Sequence, residues 1–150
     1  MKKIILYIFL FIALSNCGYS PILVGDIQNF NIQIQSIEGD RLINNVIVSQ
    51  LNRTKNDQSE NKFIINITTN YKKVINSKEA TGAIASYELN AVSEFKVIKK
   101  EVSQKIIIAE KFIMDKNVNA FDEDNYERTI KQRFATTIAQ KIISRLNSLK

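Results

Sequence analysis

Few side chains in this sequence are equipped for chemistry. Its one thiol, Cys17, has no second cysteine to pair with, and the chain contains no histidine. The commonest general base and the commonest metal ligand are therefore missing together, and a disulfide within the chain is excluded. The four glycines form no phosphate-cradling loop, and neither a GxSxG nor an HExxH pattern occurs. The remaining candidate is the acidic run "DEDNYE", Asp122 to Glu127. It lacks the glycine turn and ligand spacing of a calcium loop, whereas acidic residues in a first helical turn are expected on dipole grounds. We read it as a helix start. No catalytic site and no metal site emerge, and the expectation is a protein that is not an enzyme.

What surrounds Cys17 gives the thiol another use. Lys2 and Lys3 precede an apolar block from Ile4 to Leu14, broken only by the Tyr7 hydroxyl. That is the layout of a signal peptide, and the block is too short to span about 30 Å of hydrocarbon as a helix. Leu14 three residues before the cysteine, Ser15 two before it and Gly18 after it resemble the lipobox of bacterial lipoproteins, in which the thiol is alkylated by a diacylglycerol and the peptide is cut just before it. Asn16 departs from the small residue usual at the cut. The reading is residues 1–16 as a removed signal peptide, Cys17 as the lipid attachment site, and residues 17–28 as a lipidated tether carrying Pro21 and Gly25. Two or more acyl chains hold a protein stably at a bilayer where one does not. The lack of aspartate after the cysteine favours the outer membrane of a two-membrane cell. No cofactor is expected beyond this covalent lipid.

The remainder, residues 29–150, is the size of one domain. Removing Lys2 and Lys3 lowers the net charge from +6 to +4, a modest excess suited to an anionic partner or simply to solvation. Periodicity then places the elements. Phe30, Ile32 and Ile34 alternate with polar residues as a half-buried strand. Asp40 caps a helix with Leu42, Ile43, Val46, Ile47 and Leu51 on one side. Residues 54–61 are polar and aperiodic. Phe63, Ile65, Ile67, Thr69 and Tyr71 mark a second strand, and Ala85 to Val97 a third that pairs with it as a hairpin. A polar turn over residues 99–105 leads to a fourth strand from Ile106 to about Asp115; the later strands are long enough to project beyond the core or carry a bulge. Asp122 caps a closing helix whose Tyr126, Ile130, Phe134, Ile138, Ile142 and Leu146 recur every four residues as a core stripe. The order is β-α-β-β-β-α. The economical architecture is an α+β two-layer sandwich, a four-stranded sheet with both helices on one face and a comparatively polar opposite face.

A signal peptide, a lipid-accepting cysteine, the opening "CGYSPI" and this element order together resemble the lipopolysaccharide-assembly lipoprotein LptE family, in its short alphaproteobacterial-like form. "YELNAVSEFKVI" from Tyr87 resembles the family's second long strand, and "YERTIKQRFATTIAQKIISRLNSL" from Tyr126 its C-terminal helix. The resemblance covers essentially the whole chain and rests on soft motifs. It implies an outer-membrane lipoprotein on the periplasmic side, which plugs the LptD-type β-barrel, assists its assembly and binds lipopolysaccharide in transit. The implied partners are that barrel, lipopolysaccharide and the membrane through the lipid anchor, with no nucleic acid. No family motif marks the lipopolysaccharide contacts. The candidates are the hairpin lysines Lys72, Lys73 and Lys78 in the first hairpin and Lys99, Lys100 and Lys105 in the second. Two other classes are open: a lipoprotein adaptor or chaperone for a different envelope assembly, such as a secretin or protein-insertion barrel, and a lipid-anchored periplasmic enzyme.

Overall fold

The structure is a computed structural model that describes residues 30–149. The signal segment, Cys17 and the tether lie outside the described residues. The elements follow in the order β1 (Asn31–Gly39), α1 (Arg41–Arg53), β2 (Lys62–Lys78), β3 (Ile84–Lys99), β4 (Val102–Asp115) and α2 (Ala120–Asn147). They build one four-stranded sheet in the spatial order β1-β2-β3-β4. β1 and β2 run parallel, which requires the crossover that α1 supplies. The other two pairings are antiparallel hairpins. This is the α+β sandwich the sequence pattern predicts.

The alternation along each strand sends one set of side chains toward the helices. Phe63, Ile65 and Ile67 of β2, Leu89, Ala91, Phe95 and Val97 of β3, and Ile108 and Met114 of β4 are buried there. They meet Ile43, Ile47 and Leu51 of α1 and Ile130, Phe134, Ile138, Ile142 and Leu146 of α2, so every four-residue stripe position but one is core. The exception is Tyr126, 46 % exposed near the start of α2 and edge-on to Phe112 at a centroid distance of 6.2 Å. Inside the sheet layer, the hydroxyls of Thr69 and Ser93 are fully buried and bond each other at 2.7 Å.

One turn fixes the relation of β1 to α1. Gly39 has φ +94°, and a Cβ there would lie 1.8 Å from the Thr69 carbonyl oxygen. Glycine is required both by the backbone conformation and by this close approach. The next residue, Asp40, donates its N–H to that same carbonyl at 2.9 Å, while its carboxylate accepts from the Ile43 N–H at 3.0 Å and so caps α1.

Several boundaries differ from expectation. The polar residues 76–78 and 99–105 largely continue the strands, so the turns shrink to residues 79–83 and 100–101. Antiparallel pairing extends strands past the point where burial stops, and hydrophobic periodicity is blind to that extension. β2 absorbs its extra length with register shifts around Ser77. The cap of α2 is Asn119, whose side chain accepts from the Phe121 N–H, rather than Asp122. Asp122 and Glu123 instead occupy the first turn, as the helix-start reading of "DEDNYE" requires. The uncovered sheet face is mixed rather than polar throughout. It carries Lys–Glu pairs, Lys105 with Glu94 and Lys111 with Glu88, interleaved with the exposed apolar residues Val92, Ile107 and Ile113.

Candidate functional site

The long axis of the domain is set by β3, whose 16 residues span roughly 50 Å. One end, here called proximal, gathers the start of β1, the β3–β4 turn and the C-terminus of α2: Asn31 pairs with Lys62, and the Lys99 ammonium donates to the Leu149 carbonyl at 2.6 Å. The distal end holds the β2–β3 turn and the N-terminus of α2, tied by the Lys116 N–H to the Ala85 carbonyl at 2.9 Å.

The six candidate lysines do not converge. Lys78, at the close of β2, lies by the distal turn, and Lys72 sits within β2 opposite Asn90 on the uncovered face. Lys99 and Lys100 lie at the proximal turn, with Lys99 also over the Phe63 ring at 5.4 Å. Lys105 is in β4, paired with Glu94 at 2.8 Å. Lys72, Lys78 and Lys100 are exposed and make no ion pair among the described residues. Lys100 adopts φ 56°, a conformation that L residues other than Asn and Asp seldom occupy.

Lys73 is the outlier of the six. The inner-face alternation that runs through Tyr71 continues by one step to Lys73, which therefore points at α2 rather than into water. Its ammonium bonds Glu123 at 2.8 Å and Glu127 at 2.9 Å and lies 4.3 Å from the centre of the Tyr87 ring. Glu123 also accepts from Lys116 at 2.7 Å and from the Asn117 N–H at 3.1 Å. Glu127 accepts from the Tyr71 hydroxyl at 2.9 Å, and Lys131 lies 3.8 Å from the centre of the Tyr71 ring while bonding Asp40 at 3.0 Å. Three ammonium and three carboxylate groups thus form one continuous network between sheet and helices.

Each ionisation state follows from its neighbours. Hydrogen bonds from Lys116 and then Lys73 hold the Glu123 carboxyl down at about 2. Burial disfavours the charged forms of Lys73 and Asp40, but their partners outweigh it: Glu123 and Glu127 raise Lys73 above its ordinary value, and the Ile43 N–H with Lys131 keeps Asp40 below its own. Burial and Glu127 push the Tyr71 phenol up. The shifts of Glu123, Asp40, Lys73 and Tyr71 each favour the form that the group ordinarily holds at neutral pH, and the network acts as a brace between sheet and helices. Asp40 is foreseen only as a cap, and the network as a whole escapes the sequence. The one available signal is the step from Tyr71 to Lys73.

Among the described residues no cluster of acidic side chains, cysteine or histidine could hold a metal ion, and no helix is long and apolar enough to cross a membrane.

This two-layer β-α-β-β-β-α arrangement is an established fold among bacterial lipoproteins. It is similar to the crystal structure of rare lipoprotein B from Shewanella oneidensis at a TM-score of 0.61 and 16 % identity, over 78 % of this chain and 96 % of that one. A lipoprotein crystal structure from Caulobacter crescentus CB15 matches at a TM-score of 0.56 and 12 % identity, over 82 % and 90 % of the two chains. The solution structure of lipoprotein B from Nitrosomonas europaea matches at 0.52 and 14 %, over 77 % and 83 %. No protein-family model matches the sequence, and no curated protein matches it.

Proposed function

We propose that this protein is an LptE-like outer-membrane lipoprotein, anchored through Cys17 on the periplasmic side, which plugs and assists assembly of an LptD-type β-barrel and binds lipopolysaccharide during its transport to the surface. The observation that carries the reading is the coincidence of two independent features: a lipobox-like cysteine behind an apolar leader, opening the "CGYSPI" stretch that resembles the LptE family, and a fold that matches nearly the whole length of the rare lipoprotein B chain. The shape supports it further. A long, braced domain whose uncovered sheet face alternates ion pairs with isolated apolar side chains suits a wet lumen, where contacts are made to a polar wall rather than to lipid. The role asks for binding surfaces and rigidity and needs no reaction.

The test is purification of the tagged protein from outer membranes in mild detergent, with mass spectrometry of both the co-purifying proteins and the N-terminal peptide. The expected result is a stoichiometric LptD-type barrel and an acylated Cys17. An acylated Cys17 with a different stoichiometric partner would transfer the protein to the adaptor class, and an unmodified Cys17 behind an uncut leader would overturn the reading.

A further inference from the structure

We infer that residues 19–24 of the tether, "YSPILV", dock as an added strand antiparallel to β4 along its open edge, with aliphatic side chains in the groove between β4 and the C-terminal part of α2. The inference takes the tether reading of residues 17–28 as its starting point and does not depend on what becomes of the Cys17 thiol.

The receiving surface lies wholly within the described residues. α2 packs more closely on α1 than on β4, and a groove of about 720 Å³ is left between α2 and β4. Ile106, Ile107, Ile108 and Ala109 line one side of it, and Ser144 and Leu149 the other. At the proximal end it continues into a mainly apolar cleft of about 280 Å³ beside Val97 and Val102, with Gln104 and Leu149 common to both. β4 pairs with β3 alone, so alternate N–H and C=O groups along its other edge have no strand partner. An open edge beside an apolar groove is an addition site for an extended segment.

The tether has the composition to fill it. A spacer that only covers distance is served by glycine, serine, proline or charge, whereas Ile22, Leu23 and Val24 run consecutively here, with Tyr19 and Ile27 close by. An unbroken apolar run suits a strand that is met on both sides. Ile106 and Ile108 face the helices, and Ile107, 58 % exposed, faces the uncovered side. Pro21 is tolerated in an edge strand where its nitrogen faces outward. That choice fixes the pairing parity, with the N–H groups of Ile22 and Val24 turned to β4. Val24 in the cleft beside Val97 and Leu149 then sets Ile22 toward α2 and Leu23 toward Ile107.

Length, direction and charge agree. Phe30 enters at the proximal end, edge-on to Phe63 at 6.0 Å. From β1 to β4 is three strand spacings, roughly 14 Å, and the chain from Phe30 back to Val24 extends to about 20 Å. The residues before Val24 then run from the proximal cleft toward Ala109, which makes the added strand antiparallel to β4, the geometry of the two hairpins. Asp26, the one charged residue between Cys17 and Phe30, is carried past Lys99 and the exposed Lys100 at the β3–β4 turn. The groove at the other open edge, beside β1, is more polar, with Gln33, Asn52, Lys55 and Asp57 in its lining. Docking leaves the uncovered sheet face and the distal end free and describes the domain before it enters a lumen. Undocked, the stretch from Cys17 to Phe30 regains a reach of about 45 Å for the anchor.

The experiment uses the mature chain with Cys17→Ser, so that introduced cysteines are the only thiols. Ile22→Cys is combined in turn with Ser144→Cys or Ser148→Cys in the groove, with Asn52→Cys beside β1, and with Val92→Cys on the uncovered face, all exposed positions. The effective concentration of each pair is read by equilibration with glutathione. At least one groove pair is expected to exceed both controls by about tenfold or more. Adding Leu23→Ser and Val24→Ser, which removes the apolar contacts, should bring the groove pairs within about threefold of the controls. Circular dichroism confirms that each variant is folded. Equal values at all sites, the highest value at Asn52→Cys, disulfides between two copies rather than within one, or a groove preference that survives the two serines would each overturn the inference. The chain tested carries neither lipid nor barrel, so failure of docking is read separately from failure of the anchor or of the barrel partner, which co-purification reports.

Discussion

Glu123 offers the sharpest test of whether the ion network braces the domain. Its carboxylate accepts from Lys73, Lys116 and the Asn117 N–H, and its side chain is only 7 % exposed. A carboxyl held at about 2 against an ordinary 4.5 corresponds to roughly 3 kcal/mol of preference for the charged form in the folded state. The group is covered by its immediate neighbours but lies at the end of the domain, and Lys116 is 37 % exposed, so solvent screening trims this to about 2 kcal/mol. Glu123→Gln removes the charge, keeps the shape and leaves Lys73 with Glu127 alone. At pH 7 the variant should lose about 2 kcal/mol in urea unfolding followed by circular dichroism, equivalent to a melting point lower by very roughly 10 °C for a domain of this size. The sign of the pH dependence is fixed by the direction of the shift. A depressed carboxyl contributes fully above the unfolded value near 4.5 and loses its contribution as pH falls toward about 2. Wild type and variant should therefore converge in stability across that window. A gap that stays constant down to pH 2.5 would show that the cost is steric rather than electrostatic, and no gap at pH 7 would show that the network contributes nothing to stability.

Two other substitutions test the frame that holds this network. Gly39→Ala places a methyl group against the Thr69 carbonyl in a backbone conformation closed to alanine, and should cost upwards of about 3 kcal/mol in the same unfolding assay; a loss below about 1 kcal/mol would mean the β1–α1 turn shifts freely. For the buried Thr69–Ser93 hydroxyl pair, Thr69→Val or Ser93→Ala alone should each cost about 1–2 kcal/mol by stranding a partner, and the double variant should cost less than the sum. Strict additivity in that cycle would show that the two hydroxyls do not depend on each other.

The parts of this fold that burial dictates are legible in the sequence. Strand alternation from Phe63 to Tyr71 and the four-residue stripe from Ile130 to Leu146 both record which side of an element meets the core, and both faces are where periodicity puts them. A charged residue carries no such record, so the faces of the candidate lysines are not legible in the same way. Lys72 and Lys73 are adjacent and chemically identical, yet one lies on the uncovered face opposite Asn90 and the other is clamped by two glutamates 50 and 54 positions away. Only strand parity separates them, and parity becomes informative for a lysine once a helix is known to cover that face. Strand ends are hidden for a related reason: Lys99 and Val102 pair beyond the buried part of the sheet, where hydrophobic alternation no longer marks the ladder.

That distinction bears on how charge is used here. At the distal end, where α2 begins, acidic residues complement the helix dipole and simultaneously hold Lys73 and Lys116, so cations and anions cancel within a few ångströms and add rigidity. At the proximal end α2 finishes with Lys141 and Arg145 and without acidic residues. Its dipole favours cations there, and the nearby Lys62 and Lys100 lack an ion-pair partner among the described residues. A modest net charge therefore conceals two uses of lysine: Lys73 and Lys116 are held by Glu123 against α2, whereas Lys62 and Lys100 at the proximal end, like Lys72 and Lys78 toward the distal one, make no ion pair among the described residues. If neutralising Lys62, Lys100 and Arg145 weakened folding as much as Glu123→Gln does, the proximal cations would belong to the same internal use, and the two uses would not differ in kind.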